Sequence, residues 1–274
     1  MPAEVGLKTA RRIDFRVVRV FRGFSSSQSH PMEVLGIDIG GSSVKGAPVD
    51  TATGRLLAPQ HRIATPVVLK PKQEAEVIRE LARHFGWKGP IGCGFPGVVH
   101  GGTIKFLGNL HQEFVGCDVA KLFGRATGCP VRLVNDADAA GLAEIRFGAG
   151  RGVRGTVLML TFGTGVGSAL FTGGRLYNNS EFGQFPLRGK PAERRISAAA
   201  KERLDLSFKE WAGRVSEYVV EVENLLWPEL IIAGGGISAD HKKWFKHLKI
   251  RSKIVPAKFR NEAGLVGAAI NAAD

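Results

Sequence analysis

Three short stretches of this 274-residue chain combine residue types that can manage a phosphate group and a proton. The first is Gly36-Ile37-Asp38-Ile39-Gly40-Gly41-Ser42-Ser43-Val44-Lys45. Neighbouring glycines let the backbone come close to an anion and aim amide N–H groups at its oxygens. Asp38, at a strand end, can hold a magnesium ion through water, and Lys45 adds positive charge nearby. The spacing is not GxxxxGK[ST], so this is no P-loop of the Walker kind. The second stretch, Thr161-Phe162-Gly163-Thr164-Gly165-Val166-Gly167, has the same build, with hydroxyls in place of the acid. Either turn alone reads equally well as the bend of a hairpin. The third stretch is Val134-Asn135-Asp136-Ala137-Asp138. Asp136 fits two descriptions: a cap for the helix that follows, or a base taking a proton from a hydroxyl as phosphate bonding develops. A position at the carboxyl end of a strand, where α/β folds place ligands, favours the second. Asp138 is the rival acid, but on a helix it points about 200° away from Asp136, so both cannot serve one substrate.

A polyhydroxyl acceptor needs a fan of donors and acceptors. Asn109, Asn135, Glu181 and the loop ending at Gly97 are the candidates, although Glu181 alone would pass for a solvated loop acid. A further glycine cluster, Gly234-Gly235-Gly236, has the form of a turn that lets a flat base approach the backbone. Cys93, Cys117 and Cys129 are scattered and lack His partners at ligand spacing. They read as reduced thiols and not as a structural zinc site.

The elements that must position these residues follow from periodicity. Strands are expected at Val34–Ile39, Ser43–Val49, about Leu56–Ile63, Ile91–Phe95 and Val131–Val134. Helices are expected at Gln73–Phe85, after an Asp118 N-cap, and at Asp136–Phe147. The theme of strand, glycine turn, strand then recurs at Gly155–Thr161 and Val166–Phe171, roughly 120 residues after its first appearance. A long helix at Lys209–Leu226, a strand at Leu230–Ala233 and a last helix at Ala263–Ala272 complete the pattern. The expectation is a duplicated α/β unit. Its domains would be residues 32–136 and 137–262, with 263–274 as a terminal helix that returns to the first. Residues 1–31 are Arg-rich and end in a polar Ser-rich run. They read as an extension, either a targeting segment for an organelle or translated sequence ahead of Met32, with no part in the chemistry.

Hydrophobic content of 44% and charged content of 23% describe a globular chain, and no apolar run approaches the roughly 20 residues of a membrane span. The formal charge of +13 is out of the ordinary and would concentrate polyanions near the surface. Part of it lies in residues 1–30; the rest clusters at 188–195 and 242–260. Without a helix-turn-helix or an aromatic-basic RNA motif, nucleic acid is not the expected partner, and neither is a membrane.

Taken together, LGIDIGGSSVKGAPVD, NDADAAGLAEIRFGAG, LTFGTGVGSALF, PELIIAGGGIS and FRNEAGLVGAA resemble the ROK family of sugar kinases, from Glu33 to Asp274. Within that family the resemblance is to the polyphosphate glucokinase and polyphosphate/ATP-glucomannokinase branch. It implies a two-domain actin-like ATPase fold of the ribonuclease H-like, hexokinase type, with a cleft between the domains. It also implies phosphoryl transfer from inorganic polyphosphate, and from ATP as a second donor, to the 6-hydroxyl of glucose with Mg2+. By that resemblance Asp136 is the catalytic base, and Gly97, Asn109, Asn135, Asp136, Glu181 and Gln184 bind the sugar. Asp38, Gly40, Gly41, Ser42, Lys45, Thr161, Gly163, Thr164 and Gly165 hold phosphate, and Gly234, Gly235 and Gly236 any adenosine. Asp38 holds the metal through water. A cytoplasmic homodimer acting on glucose and related hexoses is the expected form.

Two departures qualify the match. The Cys-rich zinc motif of many members is missing, as in the polyphosphate branch. The ExGH motif reads Glu181-Phe182-Gly183-Gln184, so an amide stands where the family histidine contacts the sugar. The basic run Arg188, Lys190, Arg194, Arg195, Lys201 and Arg203 could track a polyphosphate chain leaving the cleft, or be a solvated face. An ATP-preferring glucokinase or glucomannokinase is the nearest alternative. A sugar-binding regulator is the alternative of another class, and such a sensor would need neither Asp136 nor two phosphate turns.

Overall fold

The structure, a computed structural model, describes residues 32–65, 67–107 and 110–274. The extension expected at 1–31 and the sugar ligand expected at Asn109 therefore lie outside the described residues. In chain order the first half comprises β1 (Glu33–Ile39), β2 (Ser43–Asp50), β3 (Arg55–Leu56), β4 (His61–Ala64), α1 (Pro71–His84), β5 (Ile91–Phe95), β6 (Gly97–His100), β7 (Thr103–Leu107), α2 (Val119–Thr127) and β8 (Val131–Asn135). The second comprises α3 (Asp136–Arg146), β9 (Thr156–Phe162), β10 (Val166–Thr172), β11 (Arg175–Tyr177), β12 (Pro186–Leu187), β13 (Lys190–Pro191), α4 (Glu193–Ile196), α5 (Ala198–Arg203), α6 (Phe208–Leu226), β14 (Leu230–Gly234), α7 (His241–Trp244), β15 (Lys253–Pro256) and α8 (Ala263–Ala273).

The repeated strand–turn–strand theme becomes two sheets of one topology. The first runs β3-β2-β1-β5-β8, with β4 also on β2; the second runs β11-β10-β9-β14-β15. In each, an antiparallel hairpin is followed by two parallel additions on the side of its first strand: β1 pairs β5, and β9 pairs β14. The single strand expected about Leu56–Ile63 is instead two short ones, both laid along β2. Pro59 lies between them, where a missing N–H would interrupt a continuous ladder.

Alternation along the strands sorts most of the buried side chains into three large cores, with a small fourth of Val134, Ala139 and Ala268. On β9, Leu158, Leu160 and Phe162 face α6 and α7, packing with Trp211, Tyr218 and Trp244. Val157 and Met159 face the other way, into a core shared with Ala143, Val266 and Ile270 of α3 and α8. On β1, Leu35, Ile37 and Ile39 join the outer core of α1 and α2, and the opposite face meets α8. The last helix thus packs on β1 and β5 of the first sheet and against α3.

Glycine makes that packing close. A Cβ at Gly36 would stand 2.2 Å from the Leu265 carbonyl oxygen, one at Gly92 1.9 Å from that of Ala268, and one at Gly267 1.5 Å from that of Ala139. These are backbone atoms that cannot swing aside, so the crossing of α3 and α8 exists only while Gly267 has no side chain. Gly267→Ala should therefore cost at least the 1–3 kcal/mol typical of core overpacking. Urea denaturation should show the loss, whereas Gly86→Ala, at a positive-φ turn with open space around it, should cost about 1 kcal/mol.

Candidate active site

The carboxyl ends of β1, β8 and β9 open on one cavity of about 540 Å³ between the two sheets. Its walls bring together most of the residues singled out from the sequence: Gly40, Gly41 and Ser42 from the first turn, Thr161, Gly163, Thr164 and Gly165 from the second, and Gly97, Asn135, Asp136, Glu181 and Gln184 around them. A Cβ at Gly41 or at Gly163 would meet nothing within 4 Å. Those glycines leave open, ligand-facing space that any side chain would occupy.

The residues set apart from this wall are informative. Lys45 donates to the Asn261 carbonyl at 2.6 Å and pairs with Asp38 Oδ2 at 3.0 Å, so its charge goes to Asp38 and the turn before α8. Asp38 itself sits against the start of α8, where a Cβ on Gly264 would come within 2.7 Å of its carboxyl carbon. The three glycines of the 234–236 cluster divide. Gly234 ends β14 against Met159 and Thr161, Gly235 turns at φ 81° beneath the Phe162 carbonyl and lines the cavity, and Gly236 faces an adjoining recess.

The helix cap that Asp136 could have supplied belongs to Asn135. Its Oδ1 accepts from the amides of Ala137 at 2.8 Å and Asp138 at 3.0 Å, while its Nδ2 donates to the Gly97 carbonyl at 3.1 Å. With its oxygen committed, Asn135 has one amide hydrogen to offer a ligand. Asn135 carries the cap proper, while Asp136 stands at the first turn of α3 with Oδ1 accepting from the Ala137 amide at 2.8 Å and its carboxyl partly open to the cavity. Burial, with Asp38 and then Glu181 as like-charged neighbours, pushes its carboxyl up to about 7. Asp138 turns the other way, as its helical offset requires. It is buried, accepts from the Asn179 amide at 2.7 Å through Oδ2, and leaves Oδ1 without a partner among the described residues.

Glu181 is not the solvated loop acid its surroundings in sequence suggested. Ser168 on β10 donates to the Ser180 carbonyl at 2.6 Å and accepts from Phe182 N–H at 2.9 Å, and Tyr218 Oη donates to the Phe182 carbonyl at 3.1 Å. Gly183 lies so near β10 that a Cβ would stand 2.0 Å from the Val166 carbonyl oxygen. The loop is pinned from below and turns Glu181 into the cavity. Its carboxyl is raised to about 7, by burial first and then by Glu193.

Glu193 was missed from the sequence. It heads α4, lines the cavity, accepts from Gln184 Nε2 at 3.1 Å and receives the Val166 amide at 3.4 Å. The available signal was an acid within the otherwise basic run 188–195. Among the described residues the cavity wall therefore carries three carboxylates, Asp136, Glu181 and Glu193, and no lysine or arginine. Such a wall suits neutral hydroxyl donors at one end. The other end offers an anion backbone amides and hydroxyls.

Asn179 joins the halves of the molecule behind this wall. Its side-chain amide pairs with both backbone groups of Val99 on β6, accepting at 2.9 Å and donating at 3.0 Å, and its own N–H goes to Asp138. The residue holds φ 60°, a left-handed conformation that asparagine tolerates. Asn179→Ala should lower unfolding free energy by about 1–3 kcal/mol in chemical denaturation, because it strands two part-buried backbone groups. Asn179→Gly, which relieves the backbone but keeps the loss of the amide, separates the two contributions.

Comparison with known proteins places the chain in a family. A family model described as the ROK family matches residues 34–185. A polyphosphate glucokinase of Mycobacterium tuberculosis is 44% identical over 237 residues, covering 86% of this chain and 89% of that protein. One from Mycobacterium leprae is 41% identical, covering 86% of this chain and 73% of that one. The crystal structure of an inorganic polyphosphate/ATP-glucomannokinase from Arthrobacter sp. strain KM superposes with a TM-score of 0.84 at 42% identity, covering 88% of this chain and 98% of the other.

Proposed function

The chain belongs to the ROK family, and from that premise we propose that it is a kinase transferring a phosphoryl group from inorganic polyphosphate to the 6-hydroxyl of glucose. ATP serves as a second donor. The observation that carries the reading is one cavity with glycine- and hydroxyl-lined turns at one end and three carboxylates around Asp136 at the other. Relatives named for this activity, at 41–44% identity across most of the chain, support the same donor and acceptor.

In this reading Asp136 takes the proton of the sugar hydroxyl as the oxygen attacks the terminal phosphorus of the donor. Glu181 accepts from the sugar's other hydroxyls, joined by Glu193, the Asn135 amide and the Gly97 strand edge. Gln184, tied to Glu193, takes the place of the family histidine. Gly40, Gly41, Ser42, Thr161, Gly163, Thr164 and Gly165 meet the donor's phosphates with amides and hydroxyls. Among the described residues there is no group of three or more acids, histidines or cysteines able to hold a metal by themselves. Magnesium needs no such cage, since it retains water and binds through one or two carboxylates and the substrate's phosphates. Asp38 repels Asp136 in spite of its own ion pair with Lys45, and among the described residues the cavity wall has no lysine or arginine, an arrangement that suits Mg2+ held by Asp38 through water. When bound, the ion supplies the charge that neutralises the transferring group. No helix among the described residues is long and apolar enough to cross a membrane. The accompanying expectations are a homodimer in the cytoplasm, with neither nucleic acid nor membrane as partner.

The test is a coupled assay for glucose 6-phosphate with polyphosphate or ATP under Mg2+; no product with either donor would sink the reading. Asp136→Asn should lower kcat by about 10²–10⁴ while calorimetry still detects glucose binding. The base must be ionised to work, so kcat/KM of the native enzyme should fall as pH drops through about 7. Stability has the opposite slope. A carboxyl raised in the folded state stabilises fully below its unfolded pKa near 4 and loses that contribution as pH climbs through about 7. Asp136→Asn should accordingly show a higher Tm than the native protein at pH 8, and a smaller difference at pH 5. Gln184→His should raise kcat/KM for glucose up to about tenfold, the worth of one recovered hydrogen bond. An unchanged value would show that the amide does the whole of the histidine's work.

A further inference from the structure

The second phosphate turn has two sides. Gly163 and Thr164, which line the cavity, also line an adjoining recess of about 570 Å³, walled by Ala198 and Ala199, Phe208 and Ile237. The turn is fixed between the two spaces by the Ala199 amide, which donates to the Gly163 carbonyl at 3.1 Å. A donor whose terminal phosphate lies at Thr164 therefore has this recess directly behind it.

The recess would suit a nucleobase if Phe208 offered it an open ring face. Two ammonium groups stand over that ring instead: Lys201 Nζ at 4.6 Å from its centroid and Lys243 Nζ at 5.5 Å. A base stacked on Phe208 would have to displace cations held by the ring quadrupole, whereas phosphate oxygens would gain them as partners. Lys201 makes no ion pair among the described residues. Lys243 shares its charge with Asp240 at 2.9 Å, an exposed pair of small worth that a polyanion can replace. Glu202 and Asp240 also line the recess and oppose any anion there; Asp240 is already paired with Lys243, which reaches the recess only over the Phe208 ring, so Lys201 and Lys243 together must outweigh both acids.

The structure also sorts the basic run that could have tracked a phosphate chain. Arg188 and Arg195 converge on Glu217, at 2.5 and 3.6 Å, and Arg203 donates to the Arg194 carbonyl. Those side chains are committed locally. Lys201 is the member of that run that stands at the recess.

We propose that this recess receives the distal phosphates of a linear polyphosphate donor, and that Lys201 and Lys243 favour such a chain over a nucleoside triphosphate. The proposal rests on the kinase reading above and assigns where its donor lies. The test compares native protein with Lys201→Ala, Lys243→Ala and the double variant, with Tm confirming the fold. KM is measured for long-chain polyphosphate, tripolyphosphate and ATP at fixed Mg2+ and at two salt concentrations. The double variant should raise KM for long-chain polyphosphate about tenfold or more, with kcat little changed and a shallower salt dependence. KM for ATP should stay or fall. Equal changes for polyphosphate and ATP, or no change for either, would overturn the assignment. Direct titration of polyphosphate onto each protein keeps the two readings apart. If glucose is not phosphorylated at all, the kinase reading fails, and equal polyphosphate affinity in native and double-variant protein would remove the recess as well.

Discussion

The molecule turns on the crossing of α3 and α8, where backbone meets backbone because Gly267 carries no side chain and Gly36 and Gly92 bring β1 and β5 equally near. Each helix serves a different sheet. The last helix lies on the first sheet, although the chain reaches it only after completing the second. The Glu144 carboxylate on α3 accepts from the amides of Ala149, Lys258 and Phe259, all at 2.7 Å, and so ties α3 to the exit of β15. Because the helices approach this closely, the carboxyl ends of β1, β8 and β9 come within one cavity of each other. Asp38 is placed against the first turn of α8, and Asp136 at the first turn of α3. A side chain at the crossing would do more than loosen a core: it would separate the two glycine turns that line the cavity.

Electrostatics at the cavity run against stability. Asp136, Asp138 and Glu181 are each raised to about 7, in every case by burial first. An ordinary soluble protein would disperse such a group or pair it with arginine. Here the nearby ion pair, among the described residues, is that of Lys45 with Asp38, and Asp38 still acts on Asp136 as a like charge. Buried acids raised in this way and gathered about one cavity are a common arrangement where a site trades stability for chemistry.

Much of this was legible in the residue order, and the reasons for the remainder are specific. The duplicated hairpins announced themselves because a strand–glycine–strand pattern is local, and the two matching sheet orders followed from it. Asp136 could be found because it stands at a strand end ahead of a small-residue helix. That its neighbour Asn135 takes the cap could not, since Asn, Asp and Ser are near equals at that position. Lys45 was legible in part: its pairing with Asp38 follows from their opposite positions in the β1–β2 hairpin, while its bond to Asn261 is set by the return of the chain to α8, 216 residues away. Glu193 had no local signal beyond its sign. Its position depends on how the Glu181 loop is pinned to β10, a tertiary fact invisible to periodicity.

The asparagine that clasps Val99 has a consequence for how the molecule moves. Lobes closing on a substrate ordinarily reshape both ends of the cleft. Here the segment bearing Glu181 is fastened to β6 of one lobe and to Asp138 and Ser168 of the other. The Glu181 side of the cavity is therefore preassembled, and on the other side the Ala199 amide holds the second glycine turn through the Gly163 carbonyl. A site of that kind takes its ligand as a lock takes a key.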